Sequence, residues 1–200
     1  MDKYDFLQRF NLSTPYEIPP YHFANASTKA PPRPAAVLIG LVERTNGLHV
    51  ILTKRAAHLR HHPGQVSFPG GKVEPEDPSA YATAVREAWE EVGIMPSQVS
   101  LIGELPTFDT ISRFSVTPVI ANIDRNYKTK IDHNEVESVF EVPASFLLNP
   151  NNLHQLKVPR KNRLHHVFAV PYEQHLIWGV TAQIVHALQL QLHNKLAPTA

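Results

Sequence analysis

Residues 70–94 read GGKVEPEDPSAYATAVREAWEEVGI, a Gly-Gly turn followed by a segment whose second half carries Glu87, Glu90 and Glu91. Pro78-Ser79 opens a helix, since proline suits its start and serine is a preferred cap. Gly93 ends it near Val92 as a left-handed C-cap. At about 100° per residue, Tyr81, Ala84, Val85, Ala88 and Val92 share one arc, which predicts the face laid against a sheet. The small Ala84 and Ala88 allow a close approach. Glu87, Glu90 and Glu91 fall on the neighbouring arc, with Glu87 and Glu91 one turn apart, so they reach the rim of a cleft. Three carboxylates this close repel one another unless a cation sits among them. They also oppose the helix dipole at its C-terminal end. The ion that suits such donors is hard and oxygen-loving, Mg²⁺ or Mn²⁺. On spacing alone a solvated acidic face accounts for the pattern equally well.

Ala35–Val42 and Leu48–Lys54 are β-rich runs separated by Asn46-Gly47, a strong hairpin signal. Residues 55–71, rich in Arg, His, Pro and Gly, read as a functional loop ending in Phe68-Pro69-Gly70-Gly71. Further strands are predicted at 99–104, 115–123, 135–141 and 165–170, a helical turn or two at Pro143–Leu148, a polar basic loop at 149–163, and a last helix at 179–195 anchored by Trp178-Gly179. The first ten residues read as a short helix, and Pro15, Pro19, Pro20, Pro31, Pro32 and Pro34 as a stiff extended lead-in. The expected fold class is α+β, an α/β/α sandwich around a mixed, mainly antiparallel sheet. A lead-in at 1–34 precedes a single domain at 35–195, and a lid or a homodimer arm are the ordered roles open to that lead-in.

A net charge of +1 provides no global field to draw the protein onto nucleic acid or an anionic membrane. With no cysteine, disulfides, thiolate zinc sites and cysteine nucleophiles are excluded. The N-terminus lacks the apolar stretch of a signal peptide, and no apolar run is long enough to span a bilayer. A cytoplasmic protein is expected, with no nucleic-acid or membrane partner.

The motif resembles the Nudix box, G-x5-E-x7-R-E-U-x-E-E-x-G-U with U aliphatic. Gly71 matches its glycine, and Arg86-Glu87-Ala88-Trp89-Glu90-Glu91-Val92-Gly93-Ile94 its second half. In the first half Asp77 stands where the first glutamate belongs, with eight residues rather than seven before Arg86. Either the loop carries an extra residue or Glu76 takes that part. Ile51-Leu52-Thr53-Lys54-Arg55-Ala56, then Arg60, Gly64 and Phe68-Pro69-Gly70-Gly71, looks like the signature that precedes the box in Nudix coenzyme A pyrophosphatases.

That resemblance implies metal-dependent hydrolysis of the pyrophosphate of coenzyme A or its derivatives, a small-molecule substrate, to 3′,5′-ADP and 4′-phosphopantetheine or its acyl form; the alternatives are a Nudix hydrolase of another nucleoside diphosphate derivative such as ADP-ribose, or a non-catalytic nucleotide-binding Nudix module. It implies Glu87 and Glu91 as main metal ligands, Glu90 completing the site, and the Gly70 carbonyl as a further ligand. Arg86 would hold the carboxylates. The general base is Glu87, Glu135 or Glu137; the last two share a side if both lie in one strand. Arg55 and Arg60, beside His61 and His62, are expected to bind substrate phosphate or to position the loop, and Gly71 to admit substrate close to backbone. The remaining histidines have no ligand spacing, and Phe108, Phe114 and Phe140 read as core.

Overall fold

Strand β1 (Arg33–Arg44) is buried along most of its length, and its side chains alternate between two cores. The structure, a computed structural model, describes residues 1–13, 31–160 and 163–193, and of 158–160 and 163–166 the backbone alone. Pro15, Pro19 and Pro20 lie outside the described residues. Leu38 and Val42 of β1 pack on the side of helix α2 (Ala80–Val92). Ile39 and Leu41 point into the opposite core, the one that also takes in the apolar residues of helix α4 (Val180–His193). A strand covered on both faces reads as a continuous apolar run, as Ala35–Val42 does.

β1 forms the Asn46-Gly47 hairpin with β2 (Gly47–Arg55), Arg44 facing Gly47. β3 (Val66–Ser67) pairs with β2, and β4 (Gly70–Lys72) with the first part of β1. β5 (Val99–Glu104) and β6 (Phe108–Asp109) both pair with β7 (Phe114–Ile123). β8 (Val136–Pro143) lies on β2, and short helix α3 (Ala144–Leu147) follows it. The path runs β3-β2-β1-β7-β5, and β1 with β7 is its parallel pair. The sheet is therefore mixed and mainly antiparallel, with helices on both faces, as expected.

Three features differ from the sequence reading. The segment 149–163, read as a loop, contains β9 (His154–Arg160), which pairs with β10 (Arg163–Tyr172); β11 (His175–Trp178) completes a separate three-stranded sheet. Trp178 is 42% exposed and pairs through its backbone with Ala169 at the end of β11. Gly179, at φ +67, ties the start of α4 to β10, its N–H donating to the Phe168 carbonyl and its carbonyl accepting from Gln183. The N-terminal helix α1 (Lys3–Leu12) also packs on the domain: Phe6 is fully buried in the α4-side core, and the Met1 carbonyl accepts from the Leu48 N–H at 3.1 Å. Phe108 is core, whereas Phe114 and Phe140 are half-buried under Arg33 and against His175.

Candidate active site

Helix α2 forms where the caps direct it. The Ser79 hydroxyl accepts from the Ala82 N–H at 3.1 Å, and Gly93 adopts φ +81, its N–H donating to the Trp89 carbonyl. Ala84, Val85, Ala88 and Val92 are buried, which fixes the rotation of the helix and turns Glu87 and Glu91 toward β4.

Gly71 and Glu87 meet there. A Cβ built on Gly71 would fall on the Glu87 carboxylate, so the space expected for substrate beside this glycine holds that side chain. Next to it, the Gly70 N–H donates to Glu91 Oε2 at 3.1 Å. Arg86 connects the rest of the cluster. Its Nε and Nη2 bind the two oxygens of Asp77 at 3.1 and 2.9 Å, and Nη1 lies 3.2 Å from Glu87 and 2.9 Å from Glu90. Nη2 also donates to the Lys72 carbonyl at 2.9 Å. The fork-like pairing resolves the open question before the helix: Asp77 is the partner, its side chain 7% exposed, while Glu76 is exposed. The Thr83 hydroxyl and the Glu74 N–H complete the carboxylate's bonding, so the extra residue in this loop leaves Asp77 in contact with Arg86.

The electrostatics follow from this geometry. The Arg86 hydrogen bonds hold the Asp77 carboxyl well below the usual range, and Asp77 in turn raises the arginine. Burial raises Glu87, against the pull of Arg86. Burial likewise pushes Glu91 up to about 8, opposed by the Gly70 N–H and reinforced by the charges of Glu87 and Glu135. Arg55 Nη1 stands 4.0 Å from Glu91 Oε1, so it faces the carboxylates. Arg60, His61 and His62 are exposed on the loop beyond it.

Glu135 and Glu137 part company. Glu135 precedes β8 and acts electrostatically on Glu87 and Glu91, whereas Glu137 pairs with Lys54 at 2.6 Å. Both are exposed and flank the buried Val136; the strand starts at Val136, so Glu135 lies just outside it, and its register with β2 shifts between Lys54 and Arg55. Among the other histidines, His186 tilts against Phe168, and His193 Nδ1 lies 2.7 Å from the Gln189 carbonyl. The side chains of His165 and His166 lie outside the described residues.

Residues 31–167 match the NUDIX domain family. The chain belongs to the Nudix family. It is 43% identical over 192 residues to the uncharacterized Nudix hydrolase NudL of Enterobacter sp. (strain 638), covering 96% of this chain and 95% of that protein. The identity to NudL of Escherichia coli (strain K12) is the same over the same coverage. The fold is similar to the crystal structure of a NUDIX hydrolase from Alicyclobacillus acidocaldarius, with a TM-score of 0.55 at 16% identity, over 86% of this chain and all of that one. As a Nudix hydrolase the protein is a pyrophosphohydrolase of nucleoside diphosphate derivatives.

Nudix hydrolases generally use divalent metal ions, and this donor set suits one. Glu91 is a buried carboxylate that two neighbouring carboxylates destabilise as an anion, a repulsion that a cation would reverse. Glu87 lies against glycine backbone beside it. Among the described residues no three acidic or histidine side chains are already spaced around one point, Arg86 drawing Glu87 and Glu90 toward itself. No helix among the described residues is long and apolar enough to cross a membrane.

Proposed function

We propose that the protein is a coenzyme A diphosphatase, hydrolysing the pyrophosphate of coenzyme A or its acyl derivatives to 3′,5′-ADP and 4′-phosphopantetheine or its acylated form. The observation that carries this reading is the run from Leu52 to Gly71, which resembles the coenzyme A pyrophosphatase signature and leads directly into the box.

In this reading Glu87 and Glu91 hold Mg²⁺ or Mn²⁺, with Glu90 and the Gly70 carbonyl completing the site. A cation held there would neutralise the diphosphate and make water more acidic near neutral pH. Arg86, clamped by Asp77, keeps Glu87 and Glu90 in register. Glu135 accepts the proton of the attacking water, since Glu137 is paired with Lys54. Water adds to one phosphorus, the bridging P–O bond breaks, and its electron pair leaves with the second phosphate. Arg60 reaches the 3′-phosphate that distinguishes coenzyme A, and Arg55 steadies the carboxylates.

Incubation with coenzyme A and Mg²⁺ or Mn²⁺, with products identified by mass, tests the reading. It expects 3′,5′-ADP from the wild type and a severe loss in Glu91→Gln. Cleavage of ADP-ribose with no 3′,5′-ADP from coenzyme A would overturn the substrate. Full activity in Glu91→Gln would remove the metal assignment.

A further inference from the structure

Glu135 is exposed, so packing does not fix its backbone; hydrogen bonds do. The segment 130–135 hangs on the end of α2. The N–H groups of Lys130 and Asp132 donate to the carbonyls of Val92 and Glu91 at 2.7 and 3.1 Å. Those carbonyls belong to the last helical turn and have no partner within the helix. At the other end the Ala56 N–H donates to the Glu135 carbonyl at 2.9 Å, and His58 Nε2 lies 3.1 Å from the Asn134 carbonyl. One short stretch is thereby tied both to the helix that carries Glu91 and to the chain leaving β2 after Arg55. Upstream, Arg44 Nη1 donates to the Arg125 carbonyl at 2.6 Å and the Tyr127 hydroxyl donates to Glu141 at 2.7 Å, which moors the segment to the sheet.

Between these ties a single residue closes the turn. Asp132 Oδ1 accepts from the N–H of Asn134 at 2.9 Å and from its side-chain Nδ2 at 2.8 Å. The Asp132 carbonyl accepts from the N–H groups of Glu135 and Val136 at 3.1 and 2.9 Å. We propose that Asp132 is a positioning residue for the reaction, its carboxylate setting the turn that presents Glu135 to Glu87 and Glu91. The proposal rests on the assignment of Glu135 made above. Its physical basis is geometric: a misplacement of about 1 Å in a reacting group can cost about 100-fold. The function required of residue 132 is a hydrogen-bond acceptor rather than a charge, so asparagine should serve.

The test is a double-mutant cycle on coenzyme A with Mn²⁺. Asp132→Ala should lower kcat by about 10- to 100-fold with little change in KM, and Asp132→Asn should restore most of it. In a Glu135→Gln background, Asp132→Ala should add less than about twofold, since sites acting through one another are not additive. The same fold-loss in both backgrounds, or no rescue by asparagine, would overturn the proposal. A wild type that cleaves ADP-ribose and not coenzyme A defeats the substrate reading alone, and the cycle is then read on ADP-ribose. A Glu135→Gln variant with full activity defeats the parent assignment and the proposal with it. Amide exchange provides a readout without substrate: Asp132→Ala should speed exchange at Asn134, Glu135 and Val136 while Ala84 to Ala88 stay protected. Unchanged exchange at those three amides would also overturn it.

Discussion

The Glu87 carboxylate occupies the space that a side chain on Gly71 would need. Gly71 is not among the residues with positive φ, so an alanine there meets no backbone strain. The conflict is with the far end of a flexible side chain, which can swing away. Gly71→Ala should therefore remain folded, with a melting temperature near wild type. Its kcat should fall by about 100-fold, the cost of displacing a reacting group by about 1 Å. A variant that is fully active would show that the position of Glu87 does not matter to the chemistry; steady-state kinetics beside a thermal melt separates the outcomes.

Asp77 and Arg86 form the bidentate pair that the irregular first half of the box left open. Losing one partner of a mostly buried pair leaves the other uncompensated, so Asp77→Ala should destabilise the fold by about 2–4 kcal/mol, somewhat under the ~3–5 kcal/mol of a fully buried pair. Glu76→Ala, at an exposed site, should stay within about 0.5 kcal/mol. The Asp77 carboxyl is held low in the folded protein, so its contribution is present above its unfolded pKa and is lost as pH falls through the folded one. The stability margin of wild type over Asp77→Asn should accordingly shrink below about pH 4. Denaturant titrations across acid pH provide the comparison.

Glu91 behaves in the opposite sense. Burial lifts it from 4.5 to about 8, so between those values the folded protein holds a proton that the unfolded chain has released. Stability without divalent cations should then decline as pH rises through that window. Cation binding needs the ionised carboxylate, so it should release a proton, strengthen with pH and reverse the decline. Thermal melts in chelator and in Mn²⁺ would measure both effects. A Glu91→Gln protein should show a flatter decline and little Mn²⁺ response; a wild-type slope retained in that variant would assign the titration elsewhere.

Helix α2 was legible in the sequence to within a residue or two, because caps and helical periodicity are local signals: Ser79, Gly93 and the Ala84–Ala88 arc do what their chemistry dictates. The hairpin at Asn46-Gly47 was legible for the same reason. β9 was not. His154–Arg160 is polar and contains Pro159, so it is defined by pairing with β10 rather than by its own residues. In the site, the Glu trio and Arg86 were visible as a motif, but three relations depend on contacts between distant segments. Asp77 had a rival in Glu76 until Arg86 was placed. Glu135 and Glu137 were alike in sequence, and the Lys54 partner of Glu137 is what tells them apart. Asp132 carried just the turn-forming character of an Asp-x-Asn spacing, and its link to the active site exists because the loop docks on the end of α2.

Arg55 and Arg60, grouped together by sequence, stand in different surroundings, and this separates their expected roles. Arg55 lies 4.0 Å from Glu91, within the carboxylate cluster, whereas Arg60 is exposed on the loop beyond. An arginine that steadies the carboxylates affects every substrate alike; one that grips the 3′-phosphate affects only substrates that carry it. Arg55→Ala should thus lower kcat on coenzyme A and dephospho-coenzyme A by similar factors. Arg60→Ala should lower kcat/KM on coenzyme A by about 10- to 100-fold, the worth of a hydrogen bond to a charged group at about 1.5–3 kcal/mol. On dephospho-coenzyme A it should change little, and arginine-to-lysine at that position should recover only part, since an ammonium lacks the planar fork. Equal losses on both substrates in Arg60→Ala would remove the 3′-phosphate from its role and leave the loop with a positioning function alone.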